Sequence, residues 1–116
     1  MLLAKDSQAM NRELAGMEVV DNKAAQRYEA EVSGELAVVE YQLTGDRIIF
    51  THTEVPRPLE GHGVAAKLAQ TALDDARARH LTVVPRCPYI ASYIKRHQQY
   101  LDIVAPESRA SVRRKG

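Results

Sequence analysis

The chain is poor in cysteine, in long apolar runs and in net charge. One cysteine among 116 residues cannot close an internal disulfide, which points to a reducing compartment, the cytoplasm. No apolar run approaches the roughly 20 residues that cross a bilayer. The opening residues, MLLAKDSQAMNRELAG, lack the basic-then-apolar order of a secretion signal. A formal net charge of +1 provides no overall field for nucleic acid or a membrane surface, so neither is expected as a partner. His52, His62, His80 and His97 fall at no metal-ligand spacing, and no metal is expected. Internal repeats are absent.

What remains is an ordinary folded composition, with 45% hydrophobic and 27% charged residues, enough for one domain with a single modest core. Residues 1–16 are aperiodic and read as a mobile arm; Met10 offers an alternative start, which would make the first nine residues a leader. Residues 17–104 read as the domain proper. Met17 to Val20 is a short edge strand, with a turn at Asp21-Asn22. Between Gln26 and Val32, Tyr28, Ala30 and Val32 alternate with charged residues, the period of a half-buried strand. Ser33-Gly34 supplies a hairpin turn. Glu35 to Leu43 and Arg47 to Val55 are the next strands, and Ile48-Ile49-Phe50 suits a strand near the middle of a covered sheet.

After a glycine loop, Val64, Leu68, Ala69, Ala72, Leu73 and Ala76 recur at helical spacing, predicting an amphipathic helix that ends near His80. Leu81 to Val84 is a short strand parallel to its predecessor. A second helix runs from Tyr89 to about Tyr100, with Ile90, Tyr93, Ile94 and His97 on one face, and Leu101 to Val104 is a last extended piece. Residues 105–116 read as a polar, solvated tail. The fold class is α/β: a single domain with a mixed, mostly antiparallel sheet flanked by helices.

Glu60-Gly61-His62-Gly63-Val64-Ala65 stands between a central strand and a helix start. A helix start leaves backbone N–H groups without partners and carries partial positive charge, which phosphate satisfies. Glycine lets the backbone come close and adopt positive φ. This is neither a Walker loop, since no Gly-Lys-Ser/Thr follows, nor a Rossmann Gly-x-Gly-x-x-Gly. A turn with no ligand is the plainer reading of the same glycines.

The strand, Val55-Pro56, the loop and then Leu68 resemble the cofactor motif of the GNAT acetyltransferase superfamily, Arg/Gln-x-x-Gly-x-Gly/Ala. Gly63 and Ala65 take its last two positions, and Glu60 stands where Arg or Gln is usual. Thr51-His52-Thr53-Glu54-Val55-Pro56, and Val84-Pro85-Arg86-Cys87-Pro88-Tyr89 with His97, are similar to a compact subfamily of small acetyltransferases with a C-P-Y motif, over roughly Val19 to Val104. The resemblance implies a twisted sheet split between its central strands. It also implies acetyl-coenzyme A as cofactor, its pyrophosphate on the amides of Gly61, His62, Gly63, Val64 and Ala65, and its pantetheine along Glu54 and Val55.

Acetyl transfer to an amine calls for a base, oxyanion stabilisation and a proton for the leaving thiolate. With Pro88 at a first helical position, Cys87 falls at or beside a helix start, where thiols shift toward thiolate. It either takes the acetyl group, lines the thioester end, or is a small buried apolar group. His52 and Glu54, two apart on a strand, share a face, and either is a candidate general base. Tyr93 is the candidate donor to the leaving thiolate, by analogy with the superfamily; core packing is its other reading. His97 reads as a packed, hydrogen-bonded residue. The chain has little between its strands beyond tight turns, so the acceptor is expected to be a small or exposed primary amine. A non-catalytic coenzyme-A-binding module is the alternative, and a monomer or weak dimer is expected.

Overall fold

The computed structural model describes residues 10–114. Five strands form one sheet in the order β1-β2-β3-β4-β5: Val20–Asn22, Arg27–Val32, Glu35–Thr44, Arg47–Glu54 and Thr82–Pro85. All neighbours are antiparallel except β4 and β5, which are parallel. Residues 10–15 are helical (α1), followed later by α2 (Val64–Ala78), α3 (Pro88–Arg96) and the short α4 (Arg109–Val112). No helix among the described residues is long and apolar enough to cross a membrane.

Alternation decides which sheet face is covered. Tyr28, Ala30 and Val32 of β2 pair across to Val39, Ala37 and Glu35 of β3, and the apolar members are buried beneath Leu68, Ala69, Ala72 and Leu73 of α2. The small alanines let α2 lie close. Ile48 and Phe50 continue this face on β4 and are fully buried, whereas Ile49 is half-buried on the other side. The β2–β3 hairpin turns at Ser33 (φ 52°) and Gly34 (φ 78°), the two consecutive left-handed residues of a type I′ turn.

Three buried tyrosines pin the layers together. Tyr28 donates to Asp75 on α2, Tyr41 to Asp21 on β1 at 2.6 Å, and Tyr100 to Asp74 on α2 at 2.7 Å. The Asp21 contact explains why the first strand lies three residues later than the apolar pattern suggests. Asp21 and Asn22 are strand residues, held by Tyr41 and Glu29, and the turn falls at residues 23–26, with Gln26 at φ 54°.

Both ends depart from the sequence reading. The leader assigned to residues 1–9 lies outside the described residues. Residues 10–15, read as part of a mobile arm, are helical: Met10 and Leu14 pack against the core, and the Glu13 carboxylate accepts the Ser33 N–H and hydroxyl at 2.8 and 2.9 Å. At the other end, α3 stops at Arg96 rather than near Tyr100, because side chains take its last carbonyls. His97 Nδ1 lies 2.8 Å from the Tyr93 carbonyl, and Gln98 Nε2 donates to those of Ile94 and Lys95. That removes the partners a further turn would use.

Residues Gln98–Ile103 therefore form a 3₁₀ segment instead of an extended piece. Only Val104 bridges to Val83, and the Ala105 N–H donates to the Val83 carbonyl at 2.8 Å. The tail is not simply solvated. Ala105 and Val112 are fully buried, and Gln98 also donates to the Val112 carbonyl.

Candidate active site

The register of β4 against β3 slips between Glu40 and Tyr41: Tyr41 faces Phe50, but Glu40 faces His52. Thr51 is the extra residue, a β-bulge, and its hydroxyl donates to the Glu40 carbonyl at 3.3 Å. One inserted residue reverses the alternation. Thr53, opposite the buried Val39, now lies on the helix face, while His52 and Glu54, opposite Glu40 and Val38, lie on the open face.

The bulge coincides with the opening of the sheet. β5 follows β4 only from Arg47↔Thr82 to Phe50↔Pro85. Beyond this the chain leaves as α3, and the Cys87 N–H donates to the Phe50 carbonyl at 2.8 Å. Among the described residues no strand covers the second edge of β4 from Thr51 onward.

The glycine loop stands beside this open edge. Gly61 (φ 79°) and Gly63 (φ 78°) are left-handed, and a Cβ on either would meet nothing within 4 Å. They are not there to relieve a steric contact. Gly63 is the N-cap of α2 and no side chain caps that end, so the first amides of the helix have no protein acceptor. A cleft of about 340 Å³ opens at this point, lined by Val55, Gly61, Gly63, Val64, Ala65 and Tyr89 among others. Bare glycine, uncapped amides and an open strand edge on one cleft fit a diphosphate with an extended arm. Glu60 also lines it, a carboxylate where the motif usually has Arg or Gln.

The candidate chemistry residues fall into two groups. Cys87 is the N-cap of α3, with Pro88 following, and is 2% exposed. Its Sγ lies 3.0 Å from Thr53 Oγ1. His52 and Glu54 share the open face, Nε2 to Oε1 3.4 Å, and both side chains are exposed. Tyr93 lies away from the cleft, its ring stacked on His97 at 4.0 Å, and burial raises its phenol above the ordinary range. His62 is exposed and does not line the cleft.

Sequence reasoning passed over Tyr89 and Thr53. The hydroxyls of Tyr28, Tyr41 and Tyr100 are bound to aspartates, whereas those of Tyr89 and Tyr93 have no such partner among the described residues. Of these two, Tyr89 is the one at the cleft. Burial holds its phenol above the usual range, with Arg96 opposing and Cys87 adding. Its position directly after Cys87-Pro88 was the available signal. Thr53 carried none, because its face depends on the bulge.

Known proteins agree with this geometry. The model of the GCN5-related N-acetyl-transferase family matches residues 27–103. The chain is 40% identical over 73 residues to Protein NATD1 of Gallus gallus, covering 60% of this chain and 66% of that protein. It is 40% identical to Protein NATD1 of Homo sapiens over the same length, covering 65% of that protein. With Protein NATD1 of Danio rerio the identity is 30% over 91 residues, covering 74% of this chain and 83% of that protein. The matches thus span just under two thirds of the chicken and human relatives. The split sheet, the glycine loop at the start of α2 and the family match over residues 27–103 together show that the chain belongs to the GCN5-related N-acetyltransferase family.

Proposed function

We propose that this protein is an acyltransferase that moves acetyl from acetyl-coenzyme A to a primary amine on a small molecule or an exposed lysine. The observation that carries this reading is one cleft with two kinds of unsatisfied backbone: the uncapped start of α2 and the free edge of β4. The amides of Gly61, His62, Gly63, Val64 and Ala65 hold the diphosphate, and the edge at Glu54 and Val55 receives the pantetheine as an added strand. The thioester supplies an activated acetyl group.

Around it the residues take separate tasks. Tyr89 keeps its proton at neutral pH and is placed to give one to the departing sulfur; Tyr93 would need to leave its stack on His97 to do so. Cys87 lies on the helix side of the opening and either receives the acetyl group or lines the thioester. On the open face His52 and Glu54 act as base for the incoming ammonium, directly or through water.

The charge of that face favours a cationic acceptor. β2, β3 and β4 present Glu29, Glu31, Glu40 and Glu54 there. The cations on the same face, Arg27 and Arg47, are already paired with Glu29 and Glu107. The test is release of free coenzyme A thiol in the presence of polyamines, lysine peptides or neutral alcohols. Amine-dependent release supports the reading, and equal release with alcohols contradicts it. The Glu60 carboxylate in the cleft favours a second reading, a coenzyme-A-binding module without turnover. That reading expects binding by calorimetry and no thiol release with any amine.

A further inference from the structure

Thr53 and Cys87 are 34 residues apart in the chain, yet Thr53 Oγ1 is the hydrogen-bond partner of Cys87 Sγ, at 3.0 Å. Two independent features create the contact. The bulge at Thr51 turns Thr53 toward the helices, and the Cys87 backbone is fixed on both sides. Its N–H donates to the Phe50 carbonyl, and its carbonyl accepts the Ala91 N–H at 3.0 Å. The sulfur does not cap α3. With its backbone held, the sulfur's direction is set by its one hydroxyl neighbour.

We infer that Thr53 is a positioning residue for Cys87, which fixes the direction of the sulfur and stabilises its thiolate. A hydroxyl both donates and accepts. In the thiol state the S–H donates to Thr53 Oγ1. When the sulfur loses its proton to water, the Thr53 O–H turns to donate to S⁻. No other reactant is consumed. A hydrogen bond to a charged acceptor is stronger than one between neutral groups, so the exchange favours the anion and adds to the field at the start of α3.

The other groups around the sulfur are few. Tyr89 on α3 is held protonated, and Arg86 beside Cys87 is exposed. His52 and Glu54 on β4 lie on the opposite sheet face, and Glu60 and His62 of the loop before α2 are exposed. The inference rests on the reading that Cys87 works on the acetyl group, but its test does not.

The experiment titrates the ultraviolet absorbance of the thiolate in the full chain with pH, using Cys87→Ser as blank, for wild type, Thr53→Val, Thr53→Ala and Thr53→Ser. The expected result is a midpoint about one pH unit higher in Thr53→Val and Thr53→Ala, with Thr53→Ser within a few tenths of wild type. Thermal unfolding of each variant selects those that fold, and Thr53→Ala serves if valine does not pack. Midpoints of Thr53→Val or Thr53→Ala that coincide with wild type overturn the inference, as does a serine variant that titrates like valine. Intact mass after acetyl-coenzyme A treatment reports separately on the acetyl reading. A shifted titration without any acetyl-cysteine leaves Thr53 as the positioning residue of a thiol that only lines the site.

Discussion

The amide of Cys87 is bonded to the carbonyl of Phe50 at 2.8 Å, and this bond marks where the sheet divides. Before it, β4 is paired on both sides. After it, the edge of β4 is free and the chain turns into α3, carrying Cys87 and Tyr89 toward the glycine loop. A single junction thus sets the place of the open edge, the thiol and the phenol.

Gly63 tests the loop. At φ 78° with open space beside it, any side chain costs backbone strain of about 1 kcal/mol and projects into the cleft. Gly63→Val is expected to fold with slightly reduced stability and to lose coenzyme A binding measured by calorimetry. Unchanged affinity would mean that the loop is only a corner.

The open-face pair is tested by kinetics. His52→Ala and Glu54→Gln should leave coenzyme A affinity within about twofold, while at least one lowers kcat by about a hundredfold, the usual scale for a lost general base. Both side chains are exposed, so stability should barely move. Wild-type kcat in both variants would remove this pair from the mechanism.

Alkaline pH should expose the tyrosine network. Burial, then the hydrogen bond to Asp21, pushes the Tyr41 phenol from 10 up to about 12; Tyr28 and Tyr100 are raised for the same reasons by burial and by Asp75 and Asp74. The unfolded chain releases these protons near pH 10, and the folded chain keeps them. Their contribution is complete below pH 10 and disappears as pH climbs toward 12. The melting temperature should therefore fall steeply above pH 10, and Tyr41→Phe should flatten that fall. A melting temperature constant from pH 9 to pH 11.5, roughly the window these shifts span, would contradict the network.

The tail gives a stability prediction. Val112 is fully buried and Gln98 binds its carbonyl, so Val112→Ala should cost about 2 kcal/mol in denaturant unfolding. A freely solvated tail predicts a change within about 0.5 kcal/mol.

These tests also separate what the residues announced from what they concealed. The strands from Arg27 to Glu54 and helix α2 were legible because each has a clear period, two or 3.6, and ends in turn chemistry. The glycine loop was legible because helix starts and phosphates have a simple relation. Helix α1 was hidden, since Met10 and Leu14 alone make no lasting pattern and so short a helix depends on packing. The end of α3 was hidden because His97 and Gln98 terminate it with side chains rather than with glycine or proline. The division of the site was hidden for one reason, the bulge at Thr51. No period shows an inserted residue, yet it sends His52 and Glu54 to one face and Thr53 to the other.

The central claim is that the free amides from Gly61 to Ala65 hold the diphosphate of coenzyme A. The most direct measurement is amide NMR of the labelled protein during titration with coenzyme A. The expected result is saturable shifts that are largest at Gly61, Gly63 and Ala65, with a second group at Glu54 and Val55. Saturation with those five amides unmoved would contradict it.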